Sequence, residues 1–220
     1  PMAVVGTCSL CRTALEPYTP PGPAKLHHLC PSCRWILLDE AHHLSPEAQK
    51  ARYLTHQNDA GNEGYVAMFE GFLAQCVDPF SLKGCKALDL GCGPGPVLAD
   101  LLRKRGHPTD LYDPFFFPEA GPEAVYGLIT ATEVLEHLPD PVGTLAPWVA
   151  KLAPGGLLAG MTLFHPDDPV KFASWWYLKD PTHVSFYTEM TLGRLAEVLG
   201  MELLFVDGKR LFALKKKSAY

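Results

Sequence analysis

Apolar residues recur at helical spacing between Val66 and Val77, and again after Pro96, where Leu98, Leu101 and Leu102 share a face. Between them Lys86-Ala87-Leu88-Asp89-Leu90 has strand length and is ended by Gly91-Cys92-Gly93-Pro94-Gly95. Val125–Thr130 and Gly156–Phe164 read as further strands, and Thr191–Leu199, stopped by Gly200, as a helix. Met201–Val206 and Arg210–Lys215 form a hairpin pattern. Pro169 follows Asp167-Asp168 and opens a helix carrying Phe172, Trp175, Trp176 and Tyr177. This alternation predicts an α/β domain over residues 81–220, preceded by a helical linker or cap over 46–80 and a small module over 1–45.

The composition, 47% hydrophobic and 20% charged over 220 residues, supplies a core for one medium domain and an appendage. Prolines crowd into 17–31 and 108–122, which reads as rigid loops. A net charge of −5, with no basic block except Lys215-Lys216-Lys217, argues against a grip on long nucleic acid by phosphate neutralisation alone and leaves open recognition of a small or folded RNA through a local patch. Nothing approaches the run of about 18 apolar residues that a membrane span needs. Met2-Ala3-Val4-Val5 is too short for a signal-peptide core, and Pro1 ahead of it reads as a processing remnant. The chain is therefore expected to be cytoplasmic, with no membrane partner; oligomeric state has no signature.

The cysteines change the picture most in residues 1–45. Cys8-Ser9-Leu10-Cys11 is followed, eighteen residues on, by Cys30-Pro31-Ser32-Cys33. Two close pairs can turn four sulfurs onto one ion, so Cys8, Cys11, Cys30 and Cys33 are expected to hold a structural Zn²⁺ in a zinc ribbon. Arg12, Lys25 and Arg34 can offset the thiolate charge, while His27 and His28 read as loop histidines. Residues 1–45 carry three Lys/Arg against three Asp/Glu, which favours a scaffold or substrate-guiding role over nucleic-acid binding.

The glycine turn after Leu90 suits a tight strand-to-helix connection and close approach of a ligand to the backbone. With Asp89 ahead of Gly91, Gly93 and Gly95, it resembles the D-x-G-x-G-x-G motif of class I S-adenosylmethionine (SAM)-dependent methyltransferases. The resemblance runs through most of residues 52–215 and implies a Rossmann-like sheet. It implies that the turn, Cys92 included, lies against the methionine part of the cofactor, oriented by Asp89. Asp113, eighteen residues past Gly95 and at the end of the second strand, would accept the ribose hydroxyls. The apolar run from Pro114 to Phe117 would pack the adenine. Val125–Thr130 becomes the fourth strand, Leu152-Ala153-Pro154-Gly155-Gly156 the turn before the fifth, and the hairpin closes the sheet. Two departures stand out: Pro118–Ala124 leaves little room for a third strand, and Gly127 stands where relatives often carry Asp.

The fourth strand ends in Thr132-Glu133-Val134-Leu135-Glu136-His137. A helical turn begun at Glu133 would put Glu136 and His137 on its face, a set suited to a divalent ion. With Asp180-Pro181-Thr182-His183, the segment looks like that of metal-dependent O-methyltransferases, both small-RNA 2′-O-methyltransferases and ubiquinone-pathway catechol-type enzymes. That likeness makes Glu133, Glu136, His137 and His183 catalytic ligands of Mg²⁺ or Mn²⁺, with Glu133 also counted among the cofactor residues. Two other readings stay open: carboxylates placed at a helix N-terminus, and His137 as a metal-free general base. Arg52, Tyr53 and His56, with Trp175, Trp176 and Tyr177, are pocket candidates, although the rings could equally be core or anchor the module. The expected reaction is O-methylation of a small aromatic or diol-containing molecule. The alternatives are an RNA methyltransferase guided by the zinc ribbon, or a non-catalytic cofactor-sensing adaptor.

Overall fold

The computed structural model describes residues 6–21, 25–55, 61–119 and 124–217. Its larger sheet holds β4 (Ala87–Leu90), β5 (Thr109–Tyr112), β6 (Tyr126–Thr132), β7 (Leu152–Met161), β9 (Met201–Val206) and β10 (Leu211–Lys216), in the order β5-β4-β6-β7-β10-β9. The first four strands run parallel, and β10 is antiparallel to both its neighbours. Among the described residues no strand flanks β5 on its outer side, in line with the short span after Phe117. No helix among them is long and apolar enough to cross a membrane.

Side chains alternate across this sheet, as the pleat requires. Leu88, Ile129, Leu158 and Phe212 face the helices α4 (Pro141–Ala150) and α6 (Glu189–Val198). Ala87, Leu128, Leu157 and Ala213 face α2 (Glu63–Cys76) and α3 (Val97–Lys104). Each helix start has a chemical cause. Asn62 caps α2 and Asp140 caps α4, while Thr188 and Thr191 form a reciprocal capping box on α6. A short α1 (Pro46–Tyr53), capped by Ser45, precedes α2.

The smaller sheet joins the two ends of the sequence. β1 (Glu16–Tyr18), β2 (His27–Leu29) and β3 (Ile36–Leu38) form an antiparallel meander, and β8 (Ser185–Phe186) completes it, pairing Ile36 with Phe186 and Leu37 with Ser185. Cys8, Cys30, Cys33 and Trp35 accordingly share one hydrophobic cluster with Leu135, Tyr187 and Leu192.

Three local readings are corrected. Leu152–Gly156 is the start of β7 and not a turn before it: Gly155 takes φ 74° and a register shift at Tyr126/Leu128 absorbs the irregularity. The helix opened by Pro169 stops at Ala173 (α5, Pro169–Ala173), and the chain resumes as a 3₁₀ turn over Trp176–Lys179. No helical turn begins at Glu133. That residue takes a left-handed φ of 53°, and the 3₁₀ turn is Leu135–His137, so Glu133 reaches Glu136 from a bend before the turn and not from a helical face.

Candidate active site

A cavity of about 900 Å³ opens at the carboxyl ends of β4, β5 and β6, with α1 and α2 on its other side. This is where an open α/β sheet leaves a crevice between loops that leave the strands in different directions. Its walls include Asp89, Gly91, Cys92, Gly93, Gly95, Asp113 and Pro114 at one end, and Glu133, His137, His183, Trp176 and Tyr177 at the other, with Tyr53 also in the wall.

The glycine turn is fixed by more than ligand access. Gly91 has φ 74°, and a Cβ there would lie 2.4 Å from Val134 Cγ2. Gly93 has φ 63° and open space where a side chain would be. The first glycine thus lets the turn seat against the segment after β6, and the second keeps the cavity clear. Burial pushes the Asp89 carboxyl up to about 7, with Thr130 Oγ1 donating to it at 3.0 Å. The Cys92 thiol is likewise pushed up to about 12 by burial and stays neutral. Asp113 receives three backbone amides, from Gly93 (3.1 Å), Phe115 (2.8 Å) and Phe116 (3.2 Å). A carboxylate has about four lone-pair sites, so the residue ties the glycine turn to its own loop and keeps roughly one site for a ligand.

At the other end His137 and His183 stand edge to face, ring centroids 4.9 Å apart. His137 Nδ1 lies 3.0 Å from Thr182 O, and His183 Nδ1 lies 2.8 Å from Tyr177 O. A carbonyl can only accept, so each Nδ1 carries a proton, and in a neutral ring the Nε2 is then the nitrogen left to accept or ligate. Burial lowers the pKa of His137, which keeps that ring neutral near pH 7. Glu136 is fully buried and accepts the Tyr177 hydroxyl at 2.5 Å, while its Oε2 has no partner among the described residues. Donor atoms of Glu136, His137 and His183 all lie within 4.8 Å of one another. Glu133 lies outside that set. Its side chain opens onto the cavity, and both desolvation deep in the molecule and the charge of Glu136 raise its pKa well above the usual range.

The remaining expected residues divide. Tyr53 meets His137 edge-on at 5.3 Å and Phe115 at 5.7 Å, closing the cavity from α1. Arg52 instead pairs with Asp180 at 2.8 Å, and Trp175 packs on Phe172 and Phe186 beneath the smaller sheet, so neither lines the cavity. His56 lies outside the described residues. Sequence reasoning missed Phe69, Trp148 and Arg210 in the wall. Phe69 repeats the helical spacing of Tyr65, a signal that was present; Trp148 and Arg210 arrive only through the tertiary fold.

The four cysteines come together as two matching knuckles. In each, the first cysteine's carbonyl accepts from the arginine four residues on (Arg12 N to Cys8 O and Arg34 N to Cys30 O, both 2.9 Å), and that arginine takes a left-handed φ, 64° or 63°. No disulfide joins the four sulfurs, with Cys8 to Cys33 at 3.6 Å and Cys11 to Cys30 at 3.3 Å. Sulfurs at the corners of a zinc tetrahedron stand about 3.8 Å apart, given Zn–S near 2.3 Å, so the cluster has the size for that ion. The module is wired to the segment that follows β6. Trp35 Nε1 donates to Ser185 Oγ, which donates to Tyr187 Oη, which donates to Leu135 O (2.9, 2.9 and 3.1 Å). Val184 bridges in parallel, its N donating to Glu136 O and its O accepting from Leu38 N, both 2.8 Å.

A family model described as a methyltransferase domain matches residues 39–205. No curated protein sequence matches the chain significantly. Among solved structures, human N-acetylserotonin methyltransferase in complex with SAM is similar at a TM-score of 0.56 and 15% identity, over 78% of this chain and 57% of that one. Mitomycin 7-O-methyltransferase gives 0.56 and 15%, over 80% and 60%. The 1,6-didemethyltoxoflavin-N1-methyltransferase of Burkholderia thailandensis, with 1,6-didemethyltoxoflavin and S-adenosylhomocysteine bound, gives 0.53 and 16%, over 92% and 100%. At such identities the likeness is one of fold.

Proposed function

Because the chain belongs to the methyltransferase-domain family and is a methyltransferase, we propose that it moves the methyl group of SAM to an oxygen of a small aromatic or diol-bearing acceptor, assisted by a divalent ion. The observation that carries the acceptor chemistry is the convergence of Glu136, His137 and His183 within 4.8 Å.

The cofactor end fits SAM by its own chemistry. The turn from Gly91 to Gly95 offers backbone without side chains, and the carboxyl of Asp89, held at about 7, can ionise against a bound cation. Asp113 would take a ribose hydroxyl on its remaining site, between Phe115 and Phe116 as an adenine wall. SAM supplies an electrophilic methyl on a sulfonium. What the chain contributes is placement in line with the acceptor and exclusion of water by Tyr53, Phe69 and Trp176 around the cavity. Gly91→Ala is expected to weaken S-adenosylhomocysteine binding at least tenfold, since the new methyl must displace Val134 and the backbone is already left-handed. Calorimetric titration checks it, with Gly193→Ala, open to space on α6, as the neutral control.

At the acceptor end, Glu136, His137 and His183 would hold Mg²⁺ or Mn²⁺. The orphaned, buried Oε2 of Glu136 and the two carbonyl-fixed imidazoles are the features that suit it. A divalent ion there supplies positive charge that makes an acceptor hydroxyl more acidic. The protein holds the ligand rings by the Thr182 and Tyr177 carbonyls and the ligand carboxyl by the Tyr177 hydroxyl, so the set is pre-organised. Manganese titration into SAM-loaded protein is expected to show one saturable site that His183→Ala loses. Absence of binding in the wild type refutes the metal and leaves His137 Nε2 as the group that takes the hydroxyl proton.

The four-cysteine cluster would hold structural zinc. Its thiols and Trp35 are packed into the catalytic half instead of presented to solvent, which supports a scaffold role over recognition of RNA.

A further inference from the structure

The cavity wall carries a single cationic side chain among its described arginines and lysines, Arg210. It sits at the start of β10, opposite the end of β7: its carbonyl accepts from Thr162 N at 3.0 Å, and Leu211 beside it pairs with Met161. That places it beside Leu163, on the acceptor side of the sheet and away from the glycine turn on β4. Asp207, in its own turn, engages the backbone through Oδ1, which accepts the amides of Lys209, Arg210 and Leu211 at 2.8, 2.7 and 2.9 Å, while the Arg210 charge also lowers its pKa. The guanidinium forms no ion pair with a described residue, yet its charge acts on Glu133 across the cavity.

A cation placed so, in a pocket otherwise lined by Asp89, Asp113 and Glu133, is poorly suited to a neutral acceptor. We propose that Arg210 is the specificity residue for an acceptor carrying a carboxylate, which it grips at the rim while the ring lies between Trp176 and Tyr53. The planar fork of a guanidinium matches a carboxylate with two parallel hydrogen bonds. The inference rests on the reading that the β6–β7 end of the cavity takes the acceptor. It names the acceptor class: hydroxylated aromatic acids, rather than hydroxylated aromatics that carry no carboxylate.

The test compares 2-naphthoate with 2-naphthalenemethanol, titrated calorimetrically into protein saturated with S-adenosylhomocysteine and without added divalent ion. Wild type is expected to bind the acid about tenfold more tightly, about the strength of one charge-assisted contact. Arg210→Gln should erase that preference and Arg210→Lys should keep part of it, with S-adenosylhomocysteine affinity unchanged within about twofold in all three. A wild-type preference below about twofold, or one that survives in Arg210→Gln, overturns the proposal. So does a loss of S-adenosylhomocysteine affinity in Arg210→Gln, which would assign the guanidinium to the cofactor. Neither probe carries a diol and no divalent ion is present, so failure here and failure of the manganese titration are independent results.

Discussion

Replacing Cys30 and Cys33 together by serine is expected to abolish methyl transfer and to collapse thermal stability, although neither residue touches the cavity. A structural zinc site contributes on the order of 10–16 kcal/mol in small modules, against a whole-domain stability of about 5–15 kcal/mol. The loss would propagate because the module is part of the catalytic half. Cys33 O accepts from Thr191 Oγ1 at 2.8 Å, and the Trp35–Ser185–Tyr187 chain ends on Leu135 O, inside the 3₁₀ turn that carries Glu136 and His137. Melting curves and zinc content by mass spectrometry measure the effect. Trp35→Phe separates its parts: it keeps the cysteines and should retain zinc while costing about 1–3 kcal/mol through the lost buried hydrogen bond to Ser185, whose hydroxyl still donates to Tyr187, and the space the indole leaves. A serine double variant with wild-type melting and turnover would make the module an accessory, contrary to the wiring described.

The second large effect belongs to His137. His137→Ala is expected to lower kcat by about 10²- to 10⁴-fold, whether its Nε2 holds an ion or accepts a proton. Affinity for S-adenosylhomocysteine should change by less than about threefold, because the glycine turn and Asp113 are fixed by contacts that do not involve the imidazole. Single-turnover methylation of a catechol-type acid gives the rate, and calorimetry gives the affinity. A fall in cofactor affinity that matches the fall in rate would move His137 from the chemistry to cofactor binding.

The sequence made the cofactor end legible because its constraints are local. A strand, three glycines two apart and a proline-started helix occupy consecutive positions, and β4, the turn and α3 follow them closely. The paired cysteines were legible for the same reason. What escaped was every feature made by distant pairing. The left-handed backbone at Glu133 and the close seating of Val134 on Gly91 have no local signature, so helical spacing gave the wrong local conformation there. β8 is only two residues long and exists because β3 offers an edge. Trp175 and Trp176 look alike in sequence, yet the break after Ala173 sends one under the smaller sheet and leaves the other at the cavity mouth.

That two-residue strand also sets an order of events during synthesis. Trp35 and its partner Ser185 are 150 residues apart. At about 5–20 residues per second, the cysteine knuckles leave the ribosome roughly 8–30 s before the strand that completes their sheet. For that interval Trp35 and Ile36 lack the later members of their clusters, Tyr187 and Phe186 among them, and loop closure over so long a span slows the final docking. The hydrogen bonds that tie the N-terminal sheet to the Leu135–His137 turn thus form last, when the β8 segment closes onto the cysteine knuckles.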